Sequence, residues 1–384
     1  MYKNLLDFIR ELYPSNNSIS LHEPVISSKE KKYIEKVLDT GFVSSVGYEV
    51  TEFENQIAEF VGSKYAIATS NGTAALHAAL IVSGVQPNDE VITQSLTFIA
   101  SSNAIHYCHA NPVFIDVDRE TLGLSPHALK NFLNNNCEIR EDGFCWNKSS
   151  NRIIRACLPM HTFGLSAKIH EIDEICKSFN IILVEDAAES LGTFSRNKHT
   201  GTIGDFGVLS FNGNKLITTG GGGMVLTDDE VKAEELKHIT TTARVNHKWE
   251  FTHDVVGYNY RMPNLNAALG LAQLENIEQF IETKRKIAKS YQDWGSSNDL
   301  FFVTEYQNTK SNYWLNTLIL DNSKERDQLL SETNDASIMT RPAWNPMHTI
   351  SFNKNFQKDS LKNTNWLFER IVNLPSSVKG SIYG

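Results

Sequence analysis

The chain has 384 residues, a length that points to two or three domains rather than one core. Hydrophobic residues make up 41% and charged residues 21%, so composition argues against a disordered or low-complexity polypeptide. A formal charge of −9 argues against a nucleic-acid surface, which needs a local excess of Lys and Arg. The five cysteines (Cys108, Cys137, Cys145, Cys157, Cys176) are odd in number and show no CxxC spacing. They fit reduced thiols better than a disulfide framework or a zinc site, and no metal centre is expected. No window approaches twenty apolar residues, and the first residues mix charge into apolar positions. Neither a membrane span nor a signal peptide is expected, which places the protein in the cytoplasm.

In chain order, residues 28–40 carry Ile34, Val37 and Leu38 on one helical stripe, and residues 50–61 bury Phe53, Ile57 and Phe60 on another. Strands are predicted at 65–69, 90–93, 112–116, 153–159 and 181–185. Helices alternate with them at 72–84, 98–108 and 168–179, and Ser125 caps a helix opened by Pro126. Short apolar strands separated by amphipathic helices imply βαβ units in a mostly parallel sheet. From Leu265 the pattern changes to one long helix over 265–294, a strand over 313–320 and a helix over 327–333. The expected division is an N-terminal arm and large α/β domain over 1–264, with a smaller C-terminal α+β domain over 265–384.

Ligands of such sheets sit beyond the carboxyl ends of the strands. The apolar run Ile181–Val184 leads straight into Glu185-Asp186-Ala187-Ala188, and two acids ending a buried strand need partners. Asp186 is suited to a cationic ring nitrogen or a metal, or it caps a helix. Lys215, 29 residues later, precedes the glycine run 220–223. No Gly-Lys-Ser/Thr ends that run and no G-x-G-x-x-G follows a strand, so neither a Walker loop nor a dinucleotide fingerprint is present. A lysine in a tight, glycine-rich backbone is able to hold an aldehyde as a Schiff base. Between a strand and a helix, Ser70-Asn71-Gly72-Thr73-Ala74 supplies free backbone N–H groups for a phosphate. A phosphate cradle, an acid at a strand end and a lysine are together the parts of a pyridoxal-phosphate site.

These residues carry a resemblance that spans nearly the whole chain. Ser-Asn-Gly-Thr-Ala-Ala-Leu (70–76), Thr-Phe (97–98), Glu-Asp-Ala-Ala-Glu-Ser-Leu-Gly (185–192), Ser-Phe-Asn-Gly-Asn-Lys (210–215) and Gly-Tyr-Asn-Tyr-Arg-Met (257–262) occur in order. In them the chain resembles the DegT/DnrJ/EryC1/StrS sugar aminotransferases. The resemblance implies the aspartate-aminotransferase-like fold type I and pyridoxal 5′-phosphate as cofactor, with pyridoxamine 5′-phosphate as its intermediate form. It implies Lys215 as the Schiff-base lysine and proton carrier, and Asp186 as partner of the pyridine nitrogen. Phe98 is expected on the ring face, and Thr73, Ala74 and Ser210 around the phosphate. Asn259 is expected at the cofactor of a second subunit, in a homodimer with shared sites. Glu189 departs from the Gln of many members and is expected as a cofactor contact.

A dehydrating branch of the family carries His in place of the lysine, so Lys215 favours amino transfer, with L-glutamate as donor. Residues 42–47, 247–251 and 341–348 look like the LegC branch. That likeness implies amination at C4 of a UDP-linked 2-acetamido-2,6-dideoxy-4-ketohexose, for surface-glycan sugars related to legionaminic acid. Arg341, His247, Lys248 and His348 are the candidate substrate contacts, with Trp249 or Trp344 to stack on a sugar or base. His161 ends another strand and faces either the pocket or the core. The alternative substrate is GDP-4-keto-6-deoxymannose, as in perosamine synthases. A non-catalytic regulator is disfavoured because Lys215 and Asp186 are both intact.

Overall fold

Local signals set the element ends in the computed structural model, which describes residues 2–14 and 17–384. After helix α1 (Lys3–Leu12), helix α2 (Ser28–Thr40) opens with a capping box between Ser27 and Glu30. It stops at Gly41, whose left-handed backbone (φ 74°) a side chain disfavours. Helix α3 (Tyr48–Val61) follows, then α4 (Gly72–Val82) under an Asn71 cap, α5 (Ile99–Tyr107), and α6 (Pro126–Asn136) under the expected Ser125 cap. Helices α7 (Ile169–Ser178), α8 (Glu230–Thr240), α9 (Asn264–Leu274) and α10 (Ile277–Ser296) complete the larger part.

Seven strands form the main path of a large sheet: β1 (Tyr65–Thr69), β2 (Glu90–Gln94), β3 (Asn111–Ile115), β4 (Arg152–Leu158), β5 (Ile182–Asp186), β6 (Phe206–Ser210) and β7 (Gly223–Thr227). Their order is β1-β7-β6-β5-β4-β2-β3. Only β7 runs against its neighbours, so six of the seven strands point the same way. Strands β6 and β7 are absent from the sequence-based expectation. Each is five residues long and buried along nearly its whole length, too short and too uniform for a periodicity to show.

Alternation along the strands divides the core. Ala66, Ala68, Leu209, Met224 and Leu226 pack with α3 and α9 on one face. Ile67, Val184, Val208 and Val225 pack with α4, α5 and α8 on the other. Past α10, a second sheet of β8 (Phe301–Phe302), β9 (Asn316–Ile319), β10 (Arg341–Pro342) and β11 (Ile371–Leu374) is antiparallel in the order β8-β9-β11-β10. Helices α11 (Ser323–Asp335) and α12 (Lys362–Phe368) accompany it.

Two details differ from the expectation. The single helix over 265–294 is broken at Glu275–Asn276; the start of the second half stays in the core of the first, through Ile277 and Phe280, and its remainder reaches another. Helix α9 is buried on nearly every side against α2 and α3, with Gly270 so close to Phe53 that a Cβ would lie 2.7 Å from the ring. Helix α10 instead carries Ile287 and Tyr291 into the core of the second unit. That core also takes Leu5, Ile9 and Leu12 of α1. The expected boundary after residue 264 thus separates α9 from the helices it packs on, and leaves α1 apart from its core. Ile9 is fully buried, so Ile9→Ala should cost about 2–5 kcal/mol in a urea titration. A loss under about 0.5 kcal/mol would show that α1 does not contribute to that core.

Candidate active site

Because six strands share a direction, the carboxyl ends of β1, β4, β5 and β6 meet along one edge of the sheet. A pocket of about 320 Å³ opens there, lined by Gly72, Thr73, Phe98, Asp186, Glu189, Ser210, Lys215, Trp314 and Trp344, among others. Close backbone approach shapes its floor. A Cβ on Gly223 would lie 2.5 Å from the Asn71 carbonyl carbon, and one on Gly72 would lie 3.0 Å from Ser210 Cβ. Glycine at both positions lets the start of α4 settle onto β6 and β7.

Strand alternation sends the two acids of β5 in opposite directions. Glu185 is fully buried and accepts from His161 Nε2 (2.9 Å) and from the amides of Gly201, Ile203 and Gly204 (2.7–2.8 Å). His161 Nδ1 in turn accepts from Ala167 N (3.1 Å), which fixes the tautomer with its proton on Nε2. His161 is therefore a structural partner of Glu185 and does not line the pocket. Burial works to raise the Glu185 pKa, yet His161 and the amides outweigh it and hold the carboxyl below its ordinary value.

Asp186 faces the pocket. Its Oδ2 accepts from Ser101 Oγ (2.7 Å) and its Oδ1 from Ala188 N (3.2 Å). Burial raises its pKa above the ordinary value; Ser101, the Ala188 amide and Lys215 only partly offset this. A carboxylate in that position gains from a cationic partner in the pocket. Lys215 Nζ lies 3.1 Å from Glu189 Oε1 and 4.1 Å from the centre of the Trp314 ring. Burial pushes the Glu189 pKa up to about 7 against the pull of Lys215 and of the Phe163 amide, which donates to Oε2 (2.9 Å). Phe98 caps the start of α5 at 47% exposure, edge-on to Trp344 at 6.0 Å.

Of the expected phosphate contacts, Thr73 and Ser210 line the pocket, while Ala74 is buried behind it and its amide already donates to the capping Asn71 Oδ1 (2.8 Å). Asn259 lies outside the pocket, exposed, and accepts from Arg261 Nε (3.1 Å). The expected substrate contacts are not gathered at the pocket of their own protomer. His247, Lys248 and Trp249 sit on an exposed loop. Arg341 Nη1 donates instead to Asn334 Oδ1 and Thr340 O, and His348 Nδ1 pairs with Ser95 Oγ at 2.7 Å. Trp344 does line the pocket. Ser101 and Trp314 escaped the sequence reading. Ser101 stands one helical turn after Phe98, a spacing that points to the same side, whereas nothing local marks Trp314.

A buried acid facing a lysine across a pocket, with a glycine-shaped helix start beside them, defines a pyridoxal-phosphate enzyme of the fold type I class. The comparisons agree. The model of the DegT/DnrJ/EryC1/StrS aminotransferase family matches residues 24–381. The GDP-perosamine synthase of Escherichia coli O157:H7 is 37% identical over 93% of each chain. That of Vibrio cholerae is 35% identical over 93% of this chain and 94% of its own. The aminotransferase TlmJ from Streptoalloteichus hindustanus superposes with a TM-score of 0.84, at 25% identity, over 94% of this chain and 93% of its own. The chain belongs to the DegT/DnrJ/EryC1/StrS aminotransferase family and is a pyridoxal-phosphate-dependent sugar aminotransferase.

Glu185→Ala would leave four donors without an acceptor, at an expected cost of about 3 kcal/mol or more. The Glu185 contribution exists above its unfolded pKa and vanishes as pH falls through the lower folded one. The stability gap between wild type and variant, measured by urea titration, should therefore shrink in acid. A gap independent of pH would contradict this account.

Proposed function

We propose that the enzyme moves an amino group from L-glutamate to the C4 keto carbon of GDP-4-keto-6-deoxymannose. The chemistry rests on one observation: Lys215 Nζ and the buried Asp186 carboxylate share a single pocket. The substrate rests on the two GDP-perosamine synthases, each matched over more than nine-tenths of its length. The UDP-linked 2-acetamido ketosugar is the competing substrate. Its support, the stretches at 42–47, 247–251 and 341–348, is weakened because His247, Lys248, Trp249, Arg341 and His348 stand outside the pocket of their own protomer.

Pyridoxal phosphate, when bound, supplies an aldehyde that exchanges amino groups and a ring that withdraws electrons. Lys215 would be its attachment point and the base whose Nζ takes the proton from the donor's α-carbon and delivers it to the cofactor. Glu189, in contact with Nζ and titrating near pH 7, buffers that proton. Asp186, oriented by Ser101 and the Ala188 amide, would hold the proton on the ring nitrogen. Gly72, Thr73 and Ser210, which line the pocket, would hold the phosphate, and Phe98 would cover the ring and keep water from one face.

We further infer a homodimer in which Asn259, with the loop bearing His247, Lys248 and Trp249, completes the site of a second copy. Supporting this are the exposure of Asn259 and the apolar Trp249, Phe251, Val255 and Val256, all more than half exposed. No helix among the described residues is long and apolar enough to cross a membrane.

The reconstituted protein should absorb at about 400–430 nm, and glutamate should move that band to about 320–340 nm. GDP-4-keto-6-deoxymannose should then restore the first band. Restoration by the UDP-linked 2-acetamido ketosugar alone would replace the proposed substrate with its competitor. Lys215→Ala should abolish the first band and lower turnover by at least about 10²–10⁴-fold; an unchanged band would overturn the site assignment.

A further inference from the structure

Helix α10 carries a lysine that the chemistry above does not use. Lys284 is 1% exposed and has no carboxylate partner among the described residues. Its Nζ donates to the carbonyls of Trp314 (2.9 Å) and Ser376 (2.6 Å). Two donated bonds match the two N–H groups of a neutral amine, and leave one N–H of an ammonium unused. Burial also drives the amine well below its ordinary pKa. A charge at this depth without a counter-ion is expensive, so the uncharged form is the one that fits.

What this amine holds is one wall of the pocket. Trp314 N donates to Asn312 Oδ1 (2.8 Å), its indole Nε1 donates to Asn214 O (2.7 Å), and its carbonyl accepts from Lys284. Every polar group of Trp314 is thereby engaged, and its ring lies 4.1 Å from Lys215 Nζ. Asn312 also donates to the Glu189 and Leu191 carbonyls, so one frame carries the tryptophan and the backbone of the acid beside Lys215. The other carbonyl on Lys284 belongs to Ser376, whose Oγ accepts from Asn316 N (2.8 Å) at the start of β9. Lys284 thus joins the second sheet to the pocket wall through the main chain.

We propose that Lys284 is a positioning residue for amino transfer that ties Trp314 to Ser376 and so holds the indole ring against Lys215 Nζ. An indole packed on the amine covers one side of it. Lys284 therefore governs how openly Lys215 Nζ is presented without touching it. The inference rests on Lys215 being the reacting lysine, which the absorbance band of the wild type reports separately.

The test uses the cofactor-free protein and needs no turnover. Formaldehyde and cyanoborohydride methylate Lys215 at a rate set by how open its amine is to the reagents, read by peptide mass spectrometry at neutral pH. Lys284→Met, with near-wild-type far-UV dichroism, should methylate about threefold faster or more, as should Trp314→Leu. The double variant should be no faster than Trp314→Leu alone, since the lysine acts through the ring. An unchanged rate in Lys284→Met, or an equal further gain in the double variant, overturns the proposal. Should Lys284→Met not fold, Lys284→Gln takes its place, since a side chain one atom shorter cannot reach both carbonyls. A faster rate there supports the inference and an unchanged one ends it.

Discussion

Glu185 and Asp186 end a buried apolar strand, and neither carboxylate can stay there without donors. Much of the surrounding architecture answers that demand. The period of two along β5 gives the acids opposite surroundings. Glu185 is enclosed by His161 and the turn at Gly201–Gly204, which clamps the strand to its neighbours. Asp186 receives only Ser101 and one amide, so its remaining capacity is directed into the pocket. One acid is spent on holding the strand end; the other is left for chemistry.

The opposite side of the pocket is built from distant parts of the chain. Lys215 follows β6, Trp314 precedes β9, and Lys284 lies midway along α10. Trp314 is tied by Asn312, Asn214 and Lys284, so the second sheet takes part in the site through main-chain bonds as well as apolar contact. The large sheet supplies the acid, the glycine-shaped cradle and the lysine. The smaller unit supplies the ring that sets how that lysine is solvated. Helix α10, which carries Lys284, also packs in the core that holds α1.

The helix pattern and most of the large sheet were legible in the sequence. Helix α2 and strand β1 fall at their predicted residues, and Ser125 caps α6 as its position before Pro126 implies. Lys215, Asp186, Thr73, Ser210 and Phe98 line one pocket. What escaped is less local. The break between α9 and α10 does not show in helical periodicity, because both halves are strong helices. Ala74 looks like a phosphate donor until the capping Asn71 claims its amide.

Sequence alone determined the chemistry available to this protein, since short-range pattern dictates helices, strands and caps, and the reactive groups fall at the junctions between them. Tertiary structure decided which groups meet. Trp314 and Lys284 have no local signature, and their roles arise only when segments 30 to 100 residues apart in sequence share a buried space. His247, Lys248, Trp249, Arg341 and His348 have suggestive chemistry but lie apart from the pocket, because the path of the backbone, rather than residue type, sets where a side chain can reach.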